Sequence, residues 1–153
     1  MGITNALNVV ADGAGALLDL EEAIAPPEAG TVFAEIRAFY ASARVPLAFR
    51  VIARDPAYLA DVWATTRRAF EDHRLTRRLK EALAFAVSLT SRSEHGTAFH
   101  LGEMRRLGVG EGGVMEVLGV TQMFSSYTKI ADTLQLEPDM ADIAPVDVSP
   151  PPP

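Results

Sequence analysis

The stretch KEALAFAVSLTSRSEHGTAFHLGEMRRLGV, residues 80–109, contains the signals that decide the fold. Its run ALAFAVSL is apolar on almost every side, and this pattern predicts a buried helix. Ser91 and Glu94 have the S-x-x-E spacing of a capping box, which predicts the start of a second helix. That helix continues through EHGTAFHLGEMRRLG and is predicted to end at Gly108. Two consecutive helices joined by a short turn are therefore expected here.

Helix signals continue on both sides of this stretch. Upstream, Thr31 and Pro46 begin two shorter helical patterns, and Asp55 followed by Pro56 predicts a helix with an aspartate N-cap. Downstream, a glycine-rich turn leads into a long helical pattern, VMEVLGVTQMFSSYTKIADTL. No two segments show the alternation that is typical of paired strands. The predicted fold class is all-α, a helical bundle.

The chain has 153 residues, a length that suits a single domain. We expect three parts along it. Residues 1–30 are predicted to be an N-terminal helical extension, residues 31–137 a helical core, and residues 138–153 a proline-rich tail. Apolar residues make up 48% of the chain and its mean hydropathy is slightly positive. A surplus of apolar surface in so short a chain predicts a homo-oligomer.

The composition also limits the classes of partner. The formal net charge is −6 and the isoelectric point is near 5.0, so no general attraction for nucleic acid or an anionic membrane is expected. There is no apolar run long enough for a transmembrane helix and no signal-peptide pattern at the start. The chain has no cysteine, which removes disulfides, zinc–thiolate sites and cysteine nucleophiles. These features together predict a cytoplasmic protein.

Three side chains are the first candidates for chemistry. Glu81 lies in the most apolar predicted helix, where a carboxylate is costly unless it has a partner. His95 and His100 lie on the next predicted helix, five residues apart. This is not the i, i+4 spacing that places two metal ligands on one helix face. A proton relay that uses Glu81 and one or both imidazoles is therefore preferred, with no metal and no cofactor.

The opening stretch resembles the core of the AhpD-like, or carboxymuconolactone decarboxylase, family. That core has a glutamate on one helix, followed by C-x-x-C-x-x-x-H at the start of the next. When the two are matched on the final histidine, that residue falls on His100, and the two cysteine positions fall on Ser93 and Gly96. The histidine before the second cysteine falls on His95, and the acidic residue falls on Glu81.

The resemblance covers roughly residues 45–135 and implies an all-helical subunit that assembles as a trimer or hexamer. In the peroxidase branch it implies that glutamate and histidine activate a redox thiol. This chain is a variant without the two cysteines, and Ser93 cannot replace a thiol that must be oxidised and then resolved. Thiol-dependent reduction of alkyl hydroperoxides is therefore excluded for this chain.

The family also contains decarboxylases that act on carboxylated lactones without a cysteine pair. By this resemblance, the expected function is acid/base chemistry on a small organic acid or lactone. Glu81, His95 and His100 are the expected catalytic residues. Ser93, near the start of its helix, is expected to bind an anionic substrate, and Gly96 to leave an opening in place of the thiol.

Two other functions remain open. One is a non-catalytic oligomer that binds a ligand or a partner. The other is a metal-dependent enzyme that recruits the same three side chains, with Glu94 or Glu103 as a further ligand. Structural explanations also exist for each residue: Glu81 tied to an arginine such as Arg92, His95 exposed in a first turn, His100 a core histidine and Glu103 a solvated carboxylate.

Overall fold

The computed structural model describes residues 25–138. In this range the chain forms a 3-10 turn at Pro27–Ala29 and six α-helices, with no β-strand. The helices are α1 (Gly30–Tyr40), α2 (Leu47–Ile52), α3 (Pro56–Phe70), α4 (Arg77–Thr90), α5 (Glu94–Arg106) and α6 (Glu111–Leu134). The all-α prediction is confirmed. Residues 1–24 of the predicted extension and 139–153 of the predicted tail lie outside the described residues, so the predicted division into three parts stays a prediction.

The helix boundary before α3 forms as its sequence predicts. Asp55 is the N-cap, and its carboxylate accepts a hydrogen bond from the Tyr58 N–H at 3.0 Å. Pro56 is the first residue of the helix, a position where the missing N–H of proline costs nothing. Local sequence alone therefore sets where this helix starts.

The start of α5 differs from its prediction. The N-cap is Ser93, whose hydroxyl accepts a hydrogen bond from the Gly96 N–H at 3.1 Å. Ser91 lies in the preceding turn, and its hydroxyl donates to the Ser88 carbonyl at 3.3 Å. The predicted capping box of Ser91 and Glu94 is wrong. Either serine could have been the N-cap, and in the structure it is Ser93.

The chain divides into two compact units, Met1–Glu81 and Ala82–Pro153, with the boundary inside α4. In the first unit, α1 and α2 both pack against α3. Its core contains Ile36, Leu59 and an aromatic cluster centred on Trp63, whose ring meets Phe49 edge to face at 5.8 Å. The indole N–H of Trp63 donates to Glu35 at 2.8 Å, so the polar end of this buried ring is also satisfied.

The second unit contains the end of α4, with α5 and α6. Phe85 and Met104 are buried in it. Glu103 is buried too, and Arg106 donates two hydrogen bonds to its carboxylate, at 2.9 and 2.7 Å. The expectation of a solvated Glu103 is therefore wrong, because the two hydrogen bonds from Arg106 replace hydrogen bonds that the carboxylate would otherwise make with water.

Apolar surface remains outside the core of the second unit. Leu83 and Val87 on α4 are 52% and 64% exposed, so the prediction that this helix is buried on every side is wrong. Apolar content predicts burial but does not distinguish a core from a surface that a partner covers. Within residues 25–138, no helix combines the length and apolar character needed to cross a bilayer.

Candidate functional site

Glu81 lies near the middle of α4 and is only 1% exposed. Arg77 lies one helical turn earlier, and its Nε is 3.5 Å from Glu81 Oε1. The arginine side chain is itself only 12% exposed. The i, i+4 spacing places the two charges on the same helix face. A buried carboxylate is thus compensated by a nearly buried arginine of its own helix, which makes its burial possible.

Arg77 is fixed from a second direction by the end of α1. Its guanidinium carbon lies 3.7 Å from the centre of the Phe39 ring, a cation–π contact. One terminal nitrogen of the guanidinium also donates to the Phe39 carbonyl at 2.7 Å. Because a planar guanidinium has few ways to satisfy all these contacts together, the side chain is held in one orientation toward Glu81.

His95 and His100 lie on α5 and share one aromatic neighbour. The His95 ring is stacked on Phe99, with 6.3 Å between centroids and 16° between planes. The His100 ring meets Phe99 edge to face, at 5.4 Å and 86°. His95 is exposed, whereas His100 is partly buried. The imidazoles therefore have different surroundings, one exposed to water and one partly buried.

Ser93 and Gly96 lie together at the start of α5, joined by the capping hydrogen bond. Ser88, a buried residue of α4, closes the space beside Gly96. A Cβ atom at position 96 would lie 2.6 Å from Ser88 Oγ and 3.0 Å from Ser93 Oγ. The expected opening at Gly96 is therefore wrong, because two serine side chains occupy the room that a thiol would need. A role for Ser93 and Gly96 in substrate binding stays a prediction.

An open cavity of about 450 Å³ lies beside Ser93 rather than at Gly96. It is lined by Leu89, Arg92, Ser93, Glu94, Thr97 and Ala98. The lining carries one positive and one negative side chain together with two hydroxyls, so the cavity suits a small polar molecule.

The candidate residues fall into the two units: Glu81 belongs to the first, and the four residues of α5 belong to the second. Sequence reasoning missed Arg77 and Ser88. The i, i+4 spacing from Glu81 was a signal for Arg77, but nothing in the sequence places Ser88 against Gly96. Among the described residues, no three His, Asp or Glu side chains are grouped so that they could hold a metal ion.

Comparison with known proteins agrees with the resemblance. The family model described as the carboxymuconolactone decarboxylase family matches residues 56–136. The crystal structure of the alkylhydroperoxidase AhpD core from Rhodospirillum rubrum ATCC 11170 is similar, with 27% sequence identity and a TM-score of 0.74. That match covers 82% of this chain and 93% of the other. No curated protein matches the chain. With the family model spanning more than half of its length, this cysteine-free chain belongs to the carboxymuconolactone decarboxylase family.

Proposed function

We propose that this protein performs acid/base chemistry on a small organic acid or lactone, with Glu81 as the group that gives or takes the proton. The observation that carries the proposal is the burial of the Glu81 carboxylate, 1% exposed and 3.5 Å from Arg77. Charged pairs held away from water usually cost stability compared with apolar packing. Such a pair on a helix that is otherwise largely apolar is a candidate for function.

The family description supports a decarboxylation of a carboxylated lactone. In this reaction the bond between a ring carbon and the substrate carboxylate breaks, and CO2 leaves. The electron pair stays on the ring carbon, where conjugation with the lactone carbonyl stabilises it, and a proton taken up from water and passed on by Glu81 completes the product. One proton replaces one CO2, so the step needs no oxidant, reductant or cofactor.

The two histidines are proposed to return the proton to Glu81. His95 is exposed and can exchange protons with water, whereas His100 is partly buried and suits the inner part of a relay. Phe99 contacts both rings and holds them in different orientations.

Ser93 is proposed to hold the substrate carboxylate at the first turn of α5, with Gly96 keeping the Ser93 hydroxyl in place through its N–H. Helix N-termini favour anions because their first N–H groups point outward and the helix dipole is positive there. The cavity of about 450 Å³ beside Ser93 provides room for a small acid, with Arg92 on its wall. The substrate is therefore proposed to enter next to Ser93 and not through Gly96.

A Glu81→Gln substitution tests the proposal. It keeps the shape of the side chain and removes its ability to transfer a proton, so turnover should fall at least 100-fold. The measurement is CO2 release from carboxymuconolactone and from related carboxylated lactones by the full chain. Helical circular dichroism checks that the variant is folded, since Arg77 loses its charged partner.

Glu28→Gln is the matched control, because Glu28 is exposed and the chemical change is the same. It should keep wild-type turnover. Full activity in folded Glu81→Gln protein would reject Glu81 as the proton-transferring group. If the wild-type protein releases no CO2 from any of these lactones, the decarboxylase proposal fails as well.

The same cavity favours a second candidate function, binding without turnover. Its mixed polar lining suits a small ligand even if the acid/base residues do no chemistry. Native mass spectrometry of the purified full chain would detect a retained small molecule. A ligand that is released unchanged, together with no turnover of the lactones, would support binding over catalysis.

A further inference from the structure

The turn between α4 and α5 contains an arginine in a conformation that glycine usually provides. Arg92 has a φ angle of 56°, and its N–H donates to the Leu89 carbonyl at 3.2 Å. The next N–H, that of Ser93, donates to the Ser88 carbonyl at 2.9 Å. These two bonds form a Schellman motif, in which the left-handed residue is most often glycine because the backbone crowds any Cβ atom there. Arginine is therefore present at this position at a conformational cost.

The left-handed backbone alone does not distinguish Arg92. Two other non-glycine residues among those described, Ala41 and Gln135, also end helices with positive φ, at 47° and 52°. Of the three, only Arg92 is charged, and its side chain lines the cavity of about 450 Å³ beside Ser93. A side chain kept there against the backbone preference is a candidate for a function that glycine could not perform.

The guanidinium of Arg92 is available for a ligand. The residue is exposed, and within residues 25–138 no carboxylate pairs with it, not even that of Glu94 two positions later. Arg106, by contrast, donates two hydrogen bonds to a buried carboxylate of its own helix. A guanidinium presents parallel N–H donors that match the two oxygens of a carboxylate. Arg92 therefore suits a carboxylate that enters the cavity.

Other groups of the cavity wall support or oppose an anion. The Ser93 oxygen accepts the Gly96 N–H at 3.1 Å, which leaves the hydroxyl hydrogen to donate to a ligand. Glu94 lines the same cavity and repels a negative ligand. An anion is therefore bound there only if the attraction of Arg92 exceeds the repulsion of Glu94.

We propose that Arg92 is the specificity-determining residue of this cavity and selects ligands that carry a carboxylate over neutral molecules of the same shape. This inference rests on the proposed function, since it takes the cavity beside Ser93 as the place where the substrate enters. Arg92 binds the carboxylate and takes no part in proton transfer. Its local charge is needed because the chain as a whole, with a net charge of −6, does not attract anions.

A lactone acid that does not react tests this selection without turnover. The probe is 5-oxotetrahydrofuran-2-carboxylate, and its carboxamide is the neutral counterpart. Loss of CO2 from this saturated ring would leave an electron pair that is not conjugated with the carbonyl, so the acid only binds. NMR titration of the ¹⁵N-labelled full chain measures both dissociation constants and locates the site. The acid should bind at least about 10-fold more tightly than the amide, with shifts centred on residues 89–98.

Arg92→Gly separates recognition from structure. It removes the guanidinium and places at this φ the residue that the backbone favours. The variant should lose the preference for the acid and unfold at the same urea concentration as the wild-type protein or a higher one. Gln135→Gly is the matched control, because it makes the same backbone change at the end of α6. It should keep the preference. Glu94→Gln removes the opposing charge and should bind the acid more tightly.

The proposal is overturned by equal dissociation constants for acid and amide in the wild-type protein, or by a preference that survives in folded Arg92→Gly protein. A lower urea midpoint of that variant would also overturn it, because Arg92 would then have a structural role. Failure of the proposed chemistry gives a different result. Wild-type protein that binds the acid through Arg92 but releases no CO2 from carboxymuconolactone would reject the decarboxylase proposal and still support the role of Arg92.

Discussion

At Gly96, a side chain of any kind would meet the buried hydroxyl of Ser88. A Cβ atom there would lie 2.6 Å from Ser88 Oγ and 3.1 Å from Ser88 Cβ. The hydroxyl can rotate away, but the Cβ atom is attached to the backbone of α4 and cannot. We expect Gly96→Ala to lower the free energy of unfolding by about 1–3 kcal/mol, the usual cost of overpacking. Urea denaturation followed by circular dichroism measures it.

Gly102 provides the control for this substitution within the same helix. It is exposed, and nothing lies within 4 Å of the position of an added Cβ. Gly102→Ala should therefore stabilise the protein by up to about 1 kcal/mol, because alanine is the better helix former. Equal stabilities for the two variants would show that Ser88 does not close the space beside Gly96.

The sequence predicted the burial of Glu81 better than it predicted which residues lie next to the candidate residues. The burial of Glu81 follows from the apolar residues around it in the chain, and the structure confirms it. Arg77 lies one turn away on the same helix, so a local spacing rule could have found it, although the sequence analysis named Arg92 instead. The contact of Ser88 with Gly96 joins two helices, and no local pattern encodes which residues meet there. This contact is also the reason that the expected opening at Gly96 was wrong.

At the scale of the helix, the start of α5 depends on which of two serines is the N-cap. Ser93 accepts the Gly96 N–H at 3.1 Å, whereas Ser91 donates to a carbonyl of the preceding turn. Ser93→Ala should therefore reduce the free energy of unfolding by about 1 kcal/mol. Ser91→Ala removes a hydroxyl of the same kind outside the cap and should change it by less than about 0.5 kcal/mol. Chemical denaturation of both variants gives the comparison.

The reverse order of stabilities would instead support the S-x-x-E capping box that the sequence suggested. Both serines satisfy the residue preference for an N-cap, so the preference alone could not choose between them. By contrast, Asp55 had no competitor, and its helix starts where the sequence predicted. Helix boundaries are thus predictable where one capping residue is available, and ambiguous where several are adjacent.

At the scale of the whole molecule, the fold class followed from helix signals that agreed with one another along the chain. The helix signals did not predict which apolar residues of the chain are buried and which are exposed. The run ALAFAVSL predicted complete burial, yet Leu83 and Val87 are more than half exposed in the subunit. An apolar pattern in the sequence indicates which side chains favour burial. It does not indicate whether the subunit itself or another copy of the chain would bury them.

If the protein is a homo-oligomer, as its surplus of apolar surface predicts, unfolding must depend on protein concentration, because dissociation accompanies the loss of the native state. For a twofold contact, each tenfold increase in concentration should raise the apparent free energy of unfolding by about 1.4 kcal/mol per mole of dimer. Urea midpoints of the wild-type chain over a hundredfold range of concentration measure this dependence. Met123→Lys should weaken this dependence, because Met123 is 62% exposed and a lysine there adds a charge to the apolar surface of α6. Midpoints that stay constant for the wild-type protein would mean that the apolar surface of α6 is not covered by another copy.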